Sequence, residues 1–343
     1  MRLADRIAQC RIPFIAQNLT SGALTYLNGA SDFATSIAKC QTRYVLSDDL
    51  TRLCTAIAYS KGARTLPCAD LLHAPAEHLW VEWCEAPWRA ELELYGFRAP
   101  PGPIEVSGRR GALVQATRDG RRGSIRTFWS TGESEHDLLA SSMEAHFDFD
   151  AVEEEPIASD QQSLASIRVA DHDGDDDVVR RCFCFRYERT WAAYYQRAGL
   201  SAEQINTVAR HSLGTVAIDI PLMLAFFLLL ATRPGLPRRP LMLERLNRRR
   251  VKSGKVSLLD QVEVLSPLLP EYRASTGHTP SFGRRGPRLH HVRGHLVRRG
   301  SRLFWRVPHL RGNPRAGAIR KRTVTWTIDK PTQNALAPEH PSR

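Results

Sequence analysis

Two segments carry apolar side chains in patterns typical of buried helices. Residues 49–62 repeat them at helical spacing, between an acidic cap at Asp48 or Asp49 and a stop at Gly62. The run IPLMLAFFLLLA, residues 220–231, is apolar on every side and follows Asp219, a candidate N-cap. A membrane-spanning helix needs about 20 apolar residues, so this shorter run predicts a helix in the protein core.

Strands are predicted where apolar and polar residues alternate. The clearest case is HLWVEW, at residues 78–83. Residues 112–117 and 124–129 flank the turn sequence DGRRG and predict a β-hairpin. These segments place helices and strands together in the first part of the chain.

The carboxyl-terminal part combines strand-forming runs with arginine. Within residues 288–314, runs of β-branched and aromatic residues are separated by turns at Arg299-Gly300-Ser301 and Gly312-Asn313-Pro314, which predicts a hairpin and one returning strand. Upstream, residues 244–255 (ERLNRRRVKSGK) predict a basic helix that ends in a Ser-Gly turn.

Helices and hairpins are mixed here without a regular βαβ alternation. We therefore expect an α+β fold with antiparallel hairpins, one buried apolar helix and a basic C-terminal β module. Composition divides the chain into five parts: an N-terminal helical and hairpin part (1–132), an acidic segment (133–177), a helical core part (178–265), the basic C-terminal β module (266–329) and a disordered tail (330–343).

Charge is strongly separated along the chain, which has a formal net charge of +12. Residues 233–325 hold 23 Lys and Arg against 4 Asp and Glu, a net charge of +19. Residues 133–177 hold 15 Asp and Glu against one Arg, a net charge of −14. The basic end indicates an anionic partner. The acidic segment can instead neutralise that end within the chain, or imitate a nucleic acid toward another protein.

Motifs of catalysis are missing from the sequence. It contains no Walker loop, dinucleotide fingerprint or nucleophile elbow, so we expect no enzymatic activity and no cofactor. His290, His291, His295 and His309 suggest a metal site, but their spacing gives no complete ligand set. A metal-dependent nuclease using His290 and Asn313 is a minority alternative.

Seven cysteines in a chain of this length indicate reduced thiols, and the N-terminal residues lack an apolar secretory run, which together predict a cytoplasmic protein.

The candidate binding residues lie in the basic C-terminal β module. Arginines at alternate strand positions would form a cationic stripe, with histidines as hydrogen-bonding groups and Trp305 as a stacking surface if it is exposed. The basic helix would extend this stripe through its arginines and lysines. We expect RNA, DNA or an acidic protein surface as partner, and no membrane. The residues are Arg288, His290, Arg293, His295, Arg298, Trp305, Arg306 and Arg311, extended by Arg248, Arg249, Arg250, Lys252 and Lys255.

This C-terminal module resembles that of a family of phage and prophage proteins, in which an Arg-Gly-His strand precedes a Trp-bearing strand. One branch of that family is the type V-A anti-CRISPR proteins that limit production of the effector nuclease. HLWVEW, IDIPLMLAFFLLLA and LNRRRVKSGK are similar to family segments in order and character. The residues that carry the resemblance are Arg288, His290, Arg293-Gly294-His295, Arg298, Trp305, Pro308 and Gly312.

The resemblance implies a protein without catalytic activity that recognises the N-terminal part of the effector as it is synthesised, which leads to loss of its message. The acidic segment has no clear counterpart in that family. We therefore predict a phage- or prophage-encoded binding protein in the cytoplasm of a bacterial host, acting on a nascent effector or its message as an inhibitor of CRISPR-Cas immunity. The alternatives are an RNA- or DNA-binding phage accessory protein, and a nucleic-acid mimic that acts through its acidic segment.

Overall fold

The HLWVEW segment forms a strand inside a mixed sheet in the computed structural model of the protein. The predicted hairpin, the basic helix and the buried apolar helix are also found. The structure describes residues 2–10, 14–17, 24–27, 30–59, 69–96, 108–130, 132, 138–151, 166–167, 182–187, 199, 201, 203–204, 216–232, 235–267, 288–292, 295–306, 309–311 and 313–318.

Six α-helices and one short 3-10 helix, Ala69–Leu71, are found within those ranges. The α-helices are α1 (Leu3–Gln9), α2 (Ala30–Lys39), α3 (Asp48–Tyr59), α4 (Glu85–Leu94), α5 (Ile220–Leu230) and α6 (Glu244–Lys252). The strands are β1 (Phe14–Gln17), β2 (Leu24–Leu27), β3 (Thr42–Leu46), β4 (His78–Cys84), β5 (Arg109–Ala116), β6 (Arg122–Ser130), β7 (Leu138–Asp148), β8 (Ser166–Ile167), β9 (Phe183–Tyr187), β10 (Arg238–Pro240), β11 (Val262–Val264), β12 (Arg288–Val292), β13 (His295–Arg299), β14 (Arg302–Arg306), β15 (His309–Arg311) and β16 (Asn313–Ala318).

Eleven of the described strands form one sheet, in the order β10-β11-β3-β4-β5-β6-β7-β1-β2, with β9 also on β7 and β8 on β9. The predicted hairpin is confirmed as the antiparallel pair β5 and β6. Three pairs are parallel, however: β11 with β3, β3 with β4, and β1 with β7. The fold therefore combines helices with a mixed sheet, which agrees with the α+β class but not with a purely antiparallel arrangement.

The sheet is covered by helices on both faces. On one face, Glu82 of β4 bonds the start of α1, and the ring of Phe33 in α2 meets Phe128 of β6 edge-on at 5.2 Å. On the opposite face, Tyr44 of β3 packs against Phe226 of α5 at 5.6 Å. The core therefore has two layers of side chains, one on each side of the sheet.

Helix α5 is the buried apolar helix that the sequence predicts. Nine of its residues are buried, from Ile220 to Leu229 apart from Pro221. Asp219 precedes it as predicted, but its side chain makes no capping hydrogen bond. The buried Asp219 carboxylate instead accepts two hydrogen bonds from Arg110 of β5, at 3.0 and 2.7 Å. The predicted capping role of the Asp219 side chain was therefore wrong. None of the described helices combines the length and apolar character that crossing a bilayer requires.

Helix α3 is confirmed with a different cap. The backbone N–H of Leu50 donates to the Ser47 hydroxyl oxygen at 3.3 Å, so Ser47 takes the role predicted for Asp48 or Asp49. The two aspartates still lie in the first turn, where negative charge complements the helix dipole.

The chain forms two compact units, one of residues 1–269 with 294–307 and one of residues 270–293 with 308–343. The first contains the eleven-stranded sheet, the six α-helices and the hairpin of β13 and β14. In the second, β12 pairs with β15 and β16. The predicted boundaries at residues 132, 177 and 265 fall inside the first unit, and the acidic segment contributes β7 to its sheet.

Candidate nucleic-acid interface

The hairpin of β13 and β14 contains three predicted binding residues whose side chains the structure describes: Arg298, Trp305 and Arg306. Its register pairs Leu296 with Trp305 and Arg298 with Leu303, so these four residues share one face. Leu303 is buried, and Leu296 and Trp305 are partly buried against the core. Trp305 thus contributes to packing with part of its ring, and its use as a stacking surface stays a prediction.

Arg298 lies on that same face, but its side chain is 42% exposed and is paired with a carboxylate. Its Nη1 and Nη2 donate to Asp70 Oδ1 and Oδ2 at 3.0 and 2.6 Å, and its Nε donates to the Gly300 carbonyl at 3.0 Å. The two-pronged geometry fixes the guanidinium. The charge of Arg298 is therefore matched within the chain, and its contact with an outside partner stays a prediction.

The outward face of the hairpin retains a smaller group of cations. Arg299, Arg302 and Arg306 are exposed, and Arg299 is the backbone partner of Arg302 across the turn at Gly300. Phe304 lies between them on this face and is partly buried. Of the predicted arginines with described side chains, only Arg306 belongs to this group.

The remaining predicted residues are divided by the fold. His295 begins β13 in the first unit, whereas Arg288 and His290 lie in β12 and Arg311 in β15 of the second unit. His290 and Arg311 are backbone partners in the antiparallel pair of β12 and β15. Arg293 falls outside the described residues. The single continuous module predicted from the sequence is therefore distributed over two units.

Helix α6 presents the densest group of exposed cations in the described part of the chain. Arg245, Arg248, Arg249 and Lys252 are all exposed and follow the spacing i, i+3, i+4 and i+7. At 3.6 residues per turn, they occupy an arc of about 100° on the helix surface. We call this set the cationic stripe.

The opposite side of α6 is fixed to the protein by polar contacts. Asn247 Nδ2 donates to the Leu258 carbonyl at 3.0 Å, and the Leu258 N–H donates back to Asn247 Oδ1 at 2.7 Å. Arg250 donates to the Val256 carbonyl at 2.8 Å and to Gln9 Oε1 at 3.2 Å. Arg250 was predicted to join the cationic surface, but these bonds turn it inward as an anchor.

The end of α6 is closed by a tight turn. The N–H of Lys255 donates to the Arg250 carbonyl at 2.8 Å and the N–H of Gly254 to the Val251 carbonyl at 3.0 Å. Gly254 has φ of +70°, a conformation that strongly favours glycine. This confirms the predicted Ser-Gly stop and fixes the length of the cationic stripe.

A second layer of contacts holds the segment that anchors α6. Asp5 of α1 accepts the Leu259 N–H at 2.7 Å and Gln261 Nε2 at 3.1 Å. Burial raises the pKa of Asp5, and the negative charge of Glu82 adds to this, against the lowering effect of the two hydrogen bonds. Asp5 thus joins α1 to the chain that follows α6.

Helix α1 is itself held by a buried carboxylate. Glu82 is fully buried, and it accepts the backbone N–H groups of Leu3 at 3.0 Å and Ala4 at 3.1 Å. These are first-turn donors that have no partner within the helix. Arg109 forms an ion pair with the same carboxylate. The orientation of the cationic stripe therefore depends on a chain of contacts that begins in the sheet.

Large apolar side chains are also exposed around α6. Met242 is 83% exposed, Val251 60%, Val256 59% and Leu246 45%, and these four are the exposed large apolar side chains of the described residues. Leu246 and Val251 lie on opposite flanks of the anchored face of the helix. Apolar and cationic side chains are therefore exposed together on α6.

A different polar cluster lies on the sheet, at a shallow depression that His146, Ser124 and Cys184 help to line. Glu144 accepts the Ser124 hydroxyl at 2.8 Å and lies 3.3 Å from His146 Nε2. Burial alone would raise the pKa of Glu144, but the hydrogen bond from His146, the charge of Arg126 and the Ser124 hydroxyl together lower it to about 2. These mutual contacts indicate a structural ion-paired network.

Sequence reasoning found the basic helix but omitted Arg245, and it ranked the helix below the C-terminal strands. The signal for Arg245 was present, because the i, i+3, i+4, i+7 spacing of cations can be read directly from the sequence.

The described residues contain no group of three His, Cys, Asp or Glu side chains that could hold a metal ion. No protein-family model, curated protein or solved structure matches the chain.

Proposed function

We propose that this protein binds nucleic acid without catalysing a reaction, and that the cationic stripe of α6 is its main contact surface. The observation that carries the proposal is the exposure of Arg245, Arg248, Arg249 and Lys252 on one side of a helix whose other side is anchored. Phosphate groups bind such clusters of Arg and Lys, because each contact releases a condensed counterion.

The helix keeps this charge at some cost to its own stability. Arg245 and Arg249, and likewise Arg248 and Lys252, are like-charged pairs at i, i+4, each worth roughly 0.2–0.5 kcal/mol of repulsion. The cations near the C-terminal end are favourable toward the helix dipole, which offsets part of this cost. A surface helix with only a structural role has no need for four outward cations, so the arrangement favours a function in binding.

Charge matching inside the chain weakens the nucleic-acid mimic alternative. In the described part of the acidic segment, Glu144 pairs with Arg126, Asp148 with Arg122 and Asp150 with Arg121. These arginines belong to the turn and strand of the β5–β6 hairpin, not to the basic C-terminal end. The three carboxylates therefore serve the sheet, and they are poorly suited to imitate a phosphate backbone.

The proposal predicts a defined salt dependence. Four phosphate contacts on duplex DNA give a slope of log K against log salt of about −3.6. The affinity should then fall by roughly 150-fold between 50 and 200 mM salt. Fluorescence anisotropy with a labelled 20-base-pair duplex and a labelled 20-nucleotide RNA measures both affinity and slope.

A matched pair of variants identifies the surface. The α6 variant carries Arg245→Gln, Arg248→Gln and Arg249→Gln. The hairpin variant carries Arg299→Gln, Arg302→Gln and Arg306→Gln, which removes the same net charge from another exposed surface. We expect the α6 variant to lose most of its affinity and its slope to approach about −0.9, while the hairpin variant changes little.

Two results would contradict the proposal. Equal loss in both variants would mean that only the overall charge matters, and loss in the hairpin variant alone would locate the interface on β13 and β14, as the sequence predicts. Circular dichroism and thermal unfolding of each variant establish that the fold is retained. All six substituted side chains are exposed, so we expect no large change in either.

The resemblance to phage proteins supplies a biological setting for this binding. We propose a phage- or prophage-encoded protein in the cytoplasm of a bacterial host, which limits the synthesis of a CRISPR effector nuclease by acting on the nascent effector or its message. Co-expression of a type V-A effector with the wild-type protein or the α6 variant tests this setting, and unchanged effector and message levels with wild-type protein would refute it.

A further inference from the structure

Helix α6 differs from the other described α-helices in having no buried residue. Its inward positions, Asn247 and Arg250, are only partly covered, as is the preceding Leu243, and all its other residues are exposed. Surface helices usually stay in place by burying an apolar stripe. This helix is held instead by the polar contacts of Asn247 and Arg250, so it stands out from the surface as a ridge.

The dimensions of this ridge suit one form of nucleic acid. A helix with its side chains is about 10–12 Å across, and the major groove of B-form DNA is about 12 Å wide and 8.5 Å deep. The nine residues of α6 span about 14 Å, the length of about four base-pair steps. The major groove of A-form RNA is deep and too narrow for side chains to read.

The side chains of the ridge also favour a duplex over a single strand. Binding of single strands relies on aromatic platforms, each worth about 1–3 kcal/mol per stacked base. Residues 238–256 contain no Phe, Tyr, Trp or His. Tyr44, the ring covered by Arg238, is 5% exposed. A surface of cations without aromatic rings gains more from a duplex, where the phosphate charge is denser.

We propose that α6 enters the major groove of B-form double-stranded DNA, an inference that rests on the proposed function of the cationic stripe. Arg245 and Lys252 lie near the middle of the arc and face the base edges. Arg248 and Arg249 lie at its two edges and meet phosphates along the groove walls. An arginine at the base edges pairs with O6 and N7 of guanine through two hydrogen bonds. Leu246 and Val251, exposed on either side of the anchored face, contact sugars and thymine methyl groups.

The experiment compares three probes of the same sequence: a 20-base-pair DNA duplex, a 20-base-pair RNA duplex and a 20-nucleotide single-stranded DNA. Wild-type protein and the α6 variant are titrated against each by anisotropy. The DNA duplex, saturated with protein, is then treated with dimethyl sulfate, which methylates guanine N7 in the major groove. We expect the DNA duplex to bind about fivefold or more tightly than the other two, with N7 protected by wild-type protein and not by the variant.

The outcomes separate this inference from the function on which it rests. If the RNA duplex or the single strand binds as tightly as DNA, or if N7 stays reactive, groove entry is refuted. Should the α6 variant then weaken all three probes alike, nucleic-acid binding by the cationic stripe still stands. Affinities that do not change in the α6 variant on any probe would refute both.

Discussion

Asn247→Ala tests whether the polar anchors, rather than apolar burial, hold the cationic helix in place. The substitution removes both hydrogen bonds between Asn247 and Leu258, at 3.0 and 2.7 Å, while all the outward cations remain. A hydrogen bond contributes about 0.5–1.5 kcal/mol net, so the loss is about 2 kcal/mol. Because α6 buries no side chain, little else compensates, and local opening of the helix should increase about 30-fold.

Native-state amide hydrogen exchange measures this opening at individual residues. We expect the amides of α6 to exchange about 30-fold faster in Asn247→Ala, while amides of β4 and β5 in the sheet keep their protection. Asn247→Asp is the matched variant, since it keeps an acceptor for the Leu258 N–H and replaces the donor to the Leu258 carbonyl with a charged oxygen. It should give an intermediate rate.

Arg248→Ala is the control, because Arg248 lies on the outward face of the same helix and is exposed. This change leaves both bonds of Asn247 intact and should not speed exchange. If Asn247→Ala exchanges like the wild-type protein, or if Arg248→Ala accelerates exchange to the same extent, the anchors do not hold the helix. The ridge that the groove inference requires would then have no fixed orientation.

Two further predictions concern the sheet that supports the site. Arg110→Met leaves Asp219 buried without the guanidinium that bonds it at 3.0 and 2.7 Å, so urea unfolding should show a loss of about 3–5 kcal/mol, while adding Asp219→Leu should restore much of it. An unchanged stability in Arg110→Met would refute the pairing. Glu144 has a pKa of about 2 in the folded protein against an ordinary value of 4.5, so its ionised form stabilises the fold above pH 4.5 and this contribution is lost as the pH falls toward 2. The stability difference between wild type and Glu144→Gln, on the order of 3 kcal/mol at neutral pH, should therefore shrink over that window, and a difference that stays constant with pH would contradict it.

The elements that could be predicted from the sequence are those specified by neighbouring residues. Strand β4 follows from alternation, the β5–β6 hairpin from its turn, and α5 from a continuous apolar run. Helix α6 follows from its composition and from the glycine at its end. Each of these patterns needs no more than about fifteen residues to be read.

What could not be predicted depends on partners far apart in the chain. Asp219 is 109 residues from Arg110, and Arg298 is 228 residues from Asp70, so nothing near either residue indicates that its charge is matched. Arg250 looks like its neighbours in the sequence, but Gln9, 241 residues away, helps turn it inward. The parallel pairing of β11, β3 and β4 has the same origin, because its crossovers place distant segments side by side.

The contact between Asp5 and Leu259 joins residues 254 positions apart, and this has a consequence for how the protein is made. At a translation rate of about 5–20 residues per second, α1 leaves the ribosome roughly 13–50 s before Leu259, which Asp5 must contact. Glu82, the other partner of α1, emerges before Leu259, so we expect α1 to pack on the sheet first. The cationic helix can reach its final orientation only when synthesis has passed Gln261. The surface proposed to bind nucleic acid would therefore stay unformed while most of the chain is still being translated on RNA.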